Sequence, residues 1–251
     1  MKSAVWSYFF TTHFFISLIA VLLSVETAIL FQHSFRSLDF YLFVFFSTLF
    51  SYNIYYVKGS NAKMFWRLSL FAFCFMLFYF LKLKLYFDKR LLLLCFLSFL
   101  YILPVFLNFE KNKNFTIQKL ILLISIWVFC TFFLPLHILN FNYFFFVMLL
   151  YRVAIMSFSC LLFFIRDEKN QKLKQSAQKY CNPLIGILIL LSLLIVGSVE
   201  WKLGLIYFFI SILCIFLNKY FLKKERTKLD YLIFADGILA LQSLLIFILL
   251  K

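Results

Sequence analysis

Two polar clusters in an otherwise apolar chain carry side chains that could bind a phosphate or a metal ion. They read SYNIYYVKGSN at 51–61 and FFIRDEKNQ at 163–171. A guanidinium binds phosphate through paired hydrogen bonds, and a lysine ammonium adds a point charge. Carboxylate oxygens are ligands that Mg²⁺ prefers, which makes Asp167 a candidate metal ligand. The candidate substrate-binding residues are Asn53, Lys58, Arg166 and Asp167.

A second set of polar residues lies inside apolar stretches of the chain: Glu26, Arg152, Asp236 and Gln242. An ionisable group in hydrocarbon costs several kcal/mol and normally faces a partner or a cavity. At 1.5 Å per residue, Arg152 lies about 16 Å from the outer end of its helix and Asp236 about 10 Å from the inner end of its own. We therefore expect Arg152 to pair with Asp236 first and with Glu26 second. Such a pair either holds two helices in register or lines a substrate chamber.

The elements that must position these residues are helices of membrane-spanning length. A span needs about 20 mainly apolar residues, and the chain is 65% hydrophobic with a mean hydropathy of +0.99. The sequence predicts an all-α polytopic membrane bundle, forming a single transmembrane domain over 1–251 without a soluble module. The nine predicted spans are 8–31, 38–57, 66–86, 91–109, 116–138, 141–165, 183–201, 203–222 and 229–250.

The basic residues alternate between the two sides of this bundle. The side that holds the N-terminus carries 17 Lys and Arg residues and the opposite side carries 7. The positive-inside rule then places the N-terminus in the cytoplasm and the C-terminus outside. Because such residues set topology and contact anionic lipid, the net charge of +15 predicts a membrane lipid partner and no nucleic acid. The basic run 166–182 reads as a solvated loop or as a cap over a cytoplasmic chamber.

The two polar clusters follow the second and sixth predicted spans, and there the chain resembles the UbiA superfamily of intramembrane aromatic prenyltransferases. That family has nine helices and Asp-rich motifs at these two places. In the first motif Asn53 matches, while residues without a carboxylate stand at the three acidic positions: Ile54, Val57 and Asn61. In the second motif Asp167 matches the first acid, Gln171 replaces the second, and Glu168 adds a neighbouring carboxylate.

The two ends of the chain extend the resemblance over its full length. The closing segment YLIFADGILALQSLLIFILL contains Asp236, Gly237 and Gln242, and it is similar to the last helix of a bacterial branch of UbiA-like proteins. The opening segment FFISLIAVLLSVETAIL resembles the first helix. This branch implies the bacterial inner membrane as the location.

The resemblance implies that an isoprenoid diphosphate binds on the cytoplasmic side. In the family, Mg²⁺ bridges the diphosphate to both acidic clusters, the diphosphate leaves, and the allylic cation alkylates an acceptor. Here Asp167 and Glu168 are adjacent and do not share a helix face, so they could hold one ion between them only if one turned away from the helix direction of the other. Because the acids of the first motif are missing, a two-cluster metal site cannot be assembled. Lys58, Lys63 and Arg166 could replace part of the metal charge by contacting the diphosphate directly.

Three functions stay open at this point. The first is a UbiA-like protein that binds an isoprenoid lipid without catalysis, which the missing acids favour. The second is an active prenyltransferase with a metal-poor site, for which Mg²⁺ would be the cofactor. The third is an unrelated nine-span transporter or assembly factor, in which Glu26, Arg152 and Asp236 would be the pathway charges.

Overall fold

The computed structural model describes residues 12–31, 36–55, 62–84, 88–107, 113–136, 141–167, 171–198, 201–223 and 228–249. These ranges are all-helical, with nine α-helices, one π-helical segment and no strand among the described residues. The α-helices are α1 (Phe14–Leu30), α2 (Leu38–Tyr55), α3 (Ala62–Lys82), α4 (Lys89–Leu107), α5 (Lys113–Val128), α6 (Tyr143–Asp167), α7 (Gln171–Ser198), α8 (Trp201–Lys223) and α9 (Lys228–Leu249). The all-α prediction is confirmed.

Four of these helices contain a stretch long and apolar enough to cross a membrane. They are Ala62–Lys82, Tyr143–Arg166, Ala177–Gly197 and Trp201–Phe221. Shorter apolar helices cover Phe14–Leu30, Leu38–Ile54, Gln118–Phe133 and Ile233–Leu249. The protein therefore has transmembrane helices by length and composition, and the count of nine spans stays a prediction.

Helix α7 corrects the prediction of a loop before the seventh span. The span was placed at 183–201, but the helix begins at Gln171 and runs through Pro183. The added segment is amphipathic, because Ala177 and Cys181 are buried while Lys179 and Tyr180 are exposed. Lys, Gln and Ala are good helix formers, so a charged segment that hydropathy assigns to a loop continues the helix beyond the apolar stretch.

The chain divides into two compact units, residues 1–137 and 138–251. In the first unit α2 packs against α1 and α3, and α4 packs against α5 and α2. Aromatic rings fill the contact between α2 and α3, where Phe46 stacks on Phe75 at a centroid distance of 4.8 Å. Lys82 at the end of α3 also forms an ion pair of 2.8 Å with Asp39 at the start of α2.

Helix α5 ends in a π-helical segment, Phe129–Phe133, that packs against α1. The Leu134 amide donates to the Phe129 carbonyl at 3.0 Å, the five-residue step of a π-turn. Thr27 of α1 donates its hydroxyl to the Thr131 carbonyl at 2.8 Å. A side chain of the neighbouring helix thus satisfies a carbonyl in the widened turn.

The second unit contains α6 to α9, in which each helix packs against the next and α9 also contacts α6. Tyr151 of α6 and Tyr207 of α8 form its centre, with ring centroids 4.3 Å apart and the Tyr151 hydroxyl donating to the Tyr207 carbonyl at 3.2 Å. Both tyrosines are almost wholly buried. Helices α7 and α8 approach closely at Gly204, where an added Cβ would lie 2.5 Å from the Val196 backbone nitrogen.

Candidate functional site

An arginine framed by aromatic rings lies at the C-terminal end of α6. The guanidinium carbon of Arg166 is 5.0 Å from the ring centroid of Phe163 and 5.8 Å from that of Tyr231 on α9. Tyr231 in turn stacks on Phe221 of α8, with centroids 4.1 Å apart and an interplanar angle of 18°. A cation in the last turn of a helix is favoured by the helix dipole, and the ring faces attract the guanidinium. Three helix ends therefore hold this cation in place.

Below this arginine, α9 carries a buried carboxyl group, that of Asp236, which is 3% exposed. The charge of Arg166 acts on this carboxyl group, and the pairing of Asp236 with Arg152 stays a prediction. The end of α6 thus meets the start of α9, as in antiparallel helices. Sequence spacing did not indicate this influence of Arg166, because Arg166 was assigned to a loop outside the membrane.

The other intramembrane polar residues are buried as well. Glu26 on α1 is 1% exposed, Arg152 in the middle of α6 is 2% exposed, and Gln242 on α9 is wholly buried. Each of the three has an interaction within the protein. This burial agrees with the expectation that ionisable groups in these stretches face the protein interior and avoid lipid.

Asn53 lies at the end of α2 and joins that helix to the start of α1. Its side-chain amide donates to the Leu49 carbonyl at 2.8 Å and to the Thr12 carbonyl at 3.1 Å, while its oxygen is 3.4 Å from Nδ1 of His13. The residue is wholly buried. These bonds already use the amide, so a substrate would have to displace them to bind Asn53.

Two of the candidate residues cannot be placed in the site. Lys58 lies outside the described residues, and Asp167 ends α6 with its side chain outside the description. Among the described residues there is no group of three or more His, Cys, Asp or Glu side chains that could hold a metal. Asp236 supplies one carboxyl group on which the charge of Arg166 acts, whereas Mg²⁺ would need further oxygen ligands. The described residues therefore offer no set of Mg²⁺ ligands, and Mg²⁺ as the cofactor stays a prediction.

A pair of arginines lies in the first unit and is called the arginine cluster below. The sequence alone indicates its members only as topology charges. Arg36 donates to the carbonyls of Pro135 and Leu136, each at 3.2 Å. Arg90 donates to the Phe133 carbonyl at 3.3 Å and to that of Leu136, and it pairs with Asp88 at 2.8 Å. Both arginines thereby satisfy carbonyls at the end of the π-helical segment, as a helix C-terminus requires.

The charges of this arginine cluster shift the pKa values of its members. Hydrogen bonds from the Arg90 side chain lower the pKa of Asp88 below its ordinary value of 3.8. Burial, followed by repulsion from Arg90, lowers the pKa of Arg36, which nonetheless stays charged. The spacing of Asp88 and Arg90, two residues apart at a helix start, is a sequence signal that could have indicated the ion pair.

The described residues form an all-helical protein with helices able to cross a membrane, an arginine framed by aromatic rings, and a buried carboxyl group on α9. Comparison with models of known protein families, with curated proteins and with solved structures finds no match. The resemblance to the UbiA superfamily therefore depends on the residues quoted for it and stays a prediction.

Proposed function

We propose that this chain is a UbiA-like integral membrane protein that binds an isoprenoid diphosphate lipid on the cytoplasmic side of the bacterial inner membrane. The observation that carries the proposal is the position of Arg166, held between Phe163 and Tyr231 at the end of an apolar helix. A guanidinium offers two parallel donors to a phosphate. The rings beside it supply the apolar surface that the first isoprene units of such a lipid require.

Binding without turnover is the form of this function that the residues support best. Leaving-group departure needs charge neutralisation beyond one guanidinium, and Mg²⁺ usually supplies it in diphosphate sites. The acids that would hold the metal are missing at Ile54, Val57 and Asn61. An active prenyltransferase is the alternative, with Asp167 as the remaining candidate metal ligand.

The experiment is equilibrium binding of radiolabelled geranylgeranyl diphosphate to the purified full chain in detergent, with and without Mg²⁺. We expect metal-independent binding that Arg166→Ala weakens by about ten- to a hundredfold, the effect of a lost charged hydrogen-bond partner. Arg166→Lys should fall between the two, because it keeps the charge without the fork. Lys219→Ala removes an exposed cation near the end of α8 and serves as the matched control.

Each other outcome has a definite meaning. Equal affinity of the wild type and Arg166→Ala would refute the proposed site. Binding that requires Mg²⁺ and is lost in Asp167→Ala would favour the active enzyme and call for a screen of acceptors. Geranylgeraniol that binds as tightly as the diphosphate would show that the headgroup is not recognised.

A transporter or assembly factor is the second candidate, and the burial of Arg152 in the middle of α6 favours it. A charge at this depth is typical of a substrate pathway. Uptake of an anionic solute by vesicles that contain the protein, abolished in Arg152→Gln and retained in Arg166→Ala, would support this candidate over the lipid binder.

A further inference from the structure

The two guanidinium groups of the arginine cluster share one acceptor. Nη2 of Arg36 and Nη1 of Arg90 both donate to the Leu136 carbonyl oxygen. Because each nitrogen is within hydrogen-bond distance of the same oxygen, the two nitrogens are at most about 6 Å apart. One cation would suffice to satisfy this carbonyl at the helix end, and a second cation at this distance repels the first. The shared acceptor therefore holds two like charges side by side.

The carboxyl group of Asp88 neutralises only one of the two arginines. Both of its oxygens accept from Arg90, from Nε at 3.0 Å and from Nη2 at 2.8 Å. Arg36 has no carboxylate within ion-pair distance among the described residues. Its Nε and Nη2 donate to carbonyls, whereas Nη1 has no acceptor in the described part of the chain. Because Arg36 is partly exposed, its charge and the two N–H groups of Nη1 are available to a ligand.

Further basic residues surround the arginine cluster at the same end of the first unit. Lys82 ends α3, Lys84 follows it, and Lys89 begins α4. The ion pair of Lys82 with Asp39 brings the end of α3 to the start of α2. Of the two carboxylates at these helix ends, Asp39 and Asp88, each is already paired with one cation. Positive charge therefore remains in excess here.

The positive-inside rule does not account for this concentration of charge. Of the seven basic residues that the sequence assigns to the side opposite the N-terminus, five lie at this end of the first unit: Arg36, Lys82, Lys84, Lys89 and Arg90. The rule expects the excess of Lys and Arg on the cytoplasmic side. The ends of helices of membrane-spanning length lie at the level of the lipid headgroups. The phosphate of a headgroup is an anion present at that level.

We propose that Arg36 and Arg90 form a binding site for a phosphate group. The free N–H groups of Arg36 donate to the phosphate oxygens, as guanidinium groups do in paired phosphate contacts. Lys84 and Lys89 add attraction at longer range. The phosphate belongs either to an anionic lipid headgroup or to a soluble phosphate ester. This site lies in the first unit and does not rest on the proposed function of Arg166.

The test follows the binding of three phosphate compounds to the purified full chain in detergent by ³¹P NMR. They are dioleoyl phosphatidylglycerol, dioleoyl phosphatidylcholine, which adds a choline cation to the phosphodiester, and glycerol 3-phosphate, which has no acyl chains. We expect phosphatidylglycerol to bind about tenfold more tightly than phosphatidylcholine, because the excess positive charge repels choline. Glycerol 3-phosphate that binds as tightly as phosphatidylglycerol would identify a soluble phosphate ester as the ligand, and weaker binding would identify a lipid headgroup.

Arginine variants connect the binding to the site. Arg36→Gln should weaken the binding of the tightest probe by about tenfold, the effect of a lost hydrogen bond to a charged group. Arg36→Lys should fall between the two, because it keeps the charge without the fork. Arg67→Gln removes an exposed guanidinium near the other end of α3 and is the matched control.

A measurement of location keeps both arginines, because Arg36→Gln also removes two hydrogen bonds to carbonyls and could unfold the first unit. A nitroxide is attached to Ser37→Cys or to Lys63→Cys in a background without the six native cysteines. Both positions are exposed, and Lys63 lies about 28 Å along α3 from Lys82. We expect the ³¹P signal of the bound probe to broaden with the label at Ser37→Cys and far less with the label at Lys63→Cys.

Three results would overturn the inference. The first is equal affinity for phosphatidylglycerol and phosphatidylcholine, which means that only the acyl chains are bound. The second is equal binding by Arg36→Gln and Arg67→Gln when both are folded. The third is equal broadening from the two labels. None of these depends on diphosphate binding at Arg166, so failure of this site and failure of the proposed function are distinguishable.

Discussion

At the scale of single residues, several polar side chains make structural hydrogen bonds where the sequence suggests substrate binding or topology signals. Asn53 matches a motif residue in the sequence, yet its amide joins the start of α1 to the end of α2. The sequence indicates Arg36 and Arg90 only as topology charges. In the structure they donate to carbonyls at the end of the π-helical segment. The partner that folding supplies therefore decides each role.

Replacement of Asn53 by alanine should destabilise the first unit. Asn53→Ala removes two amide donors and leaves the buried Thr12 carbonyl with one donor fewer, at a cost of about 1 to 3 kcal/mol. Thermal unfolding in detergent would measure the loss. Ser125→Ala is the control: its hydroxyl donates to the Ile121 carbonyl of its own helix through an exposed hydrogen bond of 2.9 Å, and so the loss should be smaller. An equal loss in both variants would contradict the role of Asn53.

Acid should weaken the first unit through Asp88. Because folding lowers the pKa of this carboxyl group, its contribution is complete above the ordinary value of 3.8 and is lost as the pH falls through the lower folded value. Asp88→Asn should therefore lower the unfolding midpoint at neutral pH, and its difference from the wild type should shrink as the pH falls below 3.8. Asp39→Asn, which removes an exposed ion pair, should have a small effect. A difference for Asp88→Asn that does not change with pH would contradict this account.

At the scale of elements, helix α7 of the second unit is longer than its hydropathy indicates, and it packs closely against α8. Helix α7 is extended at its start by a charged segment and passes close to α8 at its other end. Hydropathy locates the apolar part of such a helix but not its polar continuation, because a charged amphipathic segment scores like a loop. The amphipathic burial of Ala177 and Cys181 gives the reason that this segment is helical.

Alanine at Gly204 should disrupt the α7 and α8 pair. An added Cβ would lie 2.5 Å from the Val196 nitrogen and 2.7 Å from its Cα, and backbone atoms cannot move aside as a flexible side chain can. We expect Gly204→Ala to destabilise the protein by about 1 to 3 kcal/mol. Gly197→Ala has nothing within 4 Å of the added atom and should be neutral or stabilising. Thermal unfolding of both variants would check this, and a neutral Gly204→Ala would contradict the close approach.

At the scale of the whole molecule, the chain is an all-helical protein with helices able to cross a membrane. Its exposed surface includes large apolar side chains along α3 and α4, such as Trp66, Phe78, Phe96 and Phe99. Lipid would cover these side chains in a membrane, where their exposure carries no penalty. The direction of insertion that the alternation of basic residues predicts stays a prediction.

The predicted orientation can be tested with single cysteines in a background without the six native ones. Ser37→Cys lies before α2 and Lys63→Cys at the start of α3, and both positions are exposed. In intact spheroplasts an impermeant maleimide should label Ser37→Cys and should label Lys63→Cys only after lysis. The reverse pattern would mean that the N-terminus is outside, and labelling of both before lysis would mean that α2 does not span.

The sequence by itself determined the helical class, the approximate limits of the apolar helices and the burial of Glu26, Arg152 and Asp236, because both the hydrocarbon length and the cost of a buried charge act locally along the chain. Only the tertiary structure decided that the charge of Arg166 acts on Asp236, that rings from two helices frame this arginine, and that Arg36 and Arg90 bind one helix end. The contacts between different helices join residues 43 to 100 positions apart, and they depend on how each helix is rotated. Apolar helices of similar composition are compatible with several neighbours and several rotations, and side-chain packing selects one arrangement.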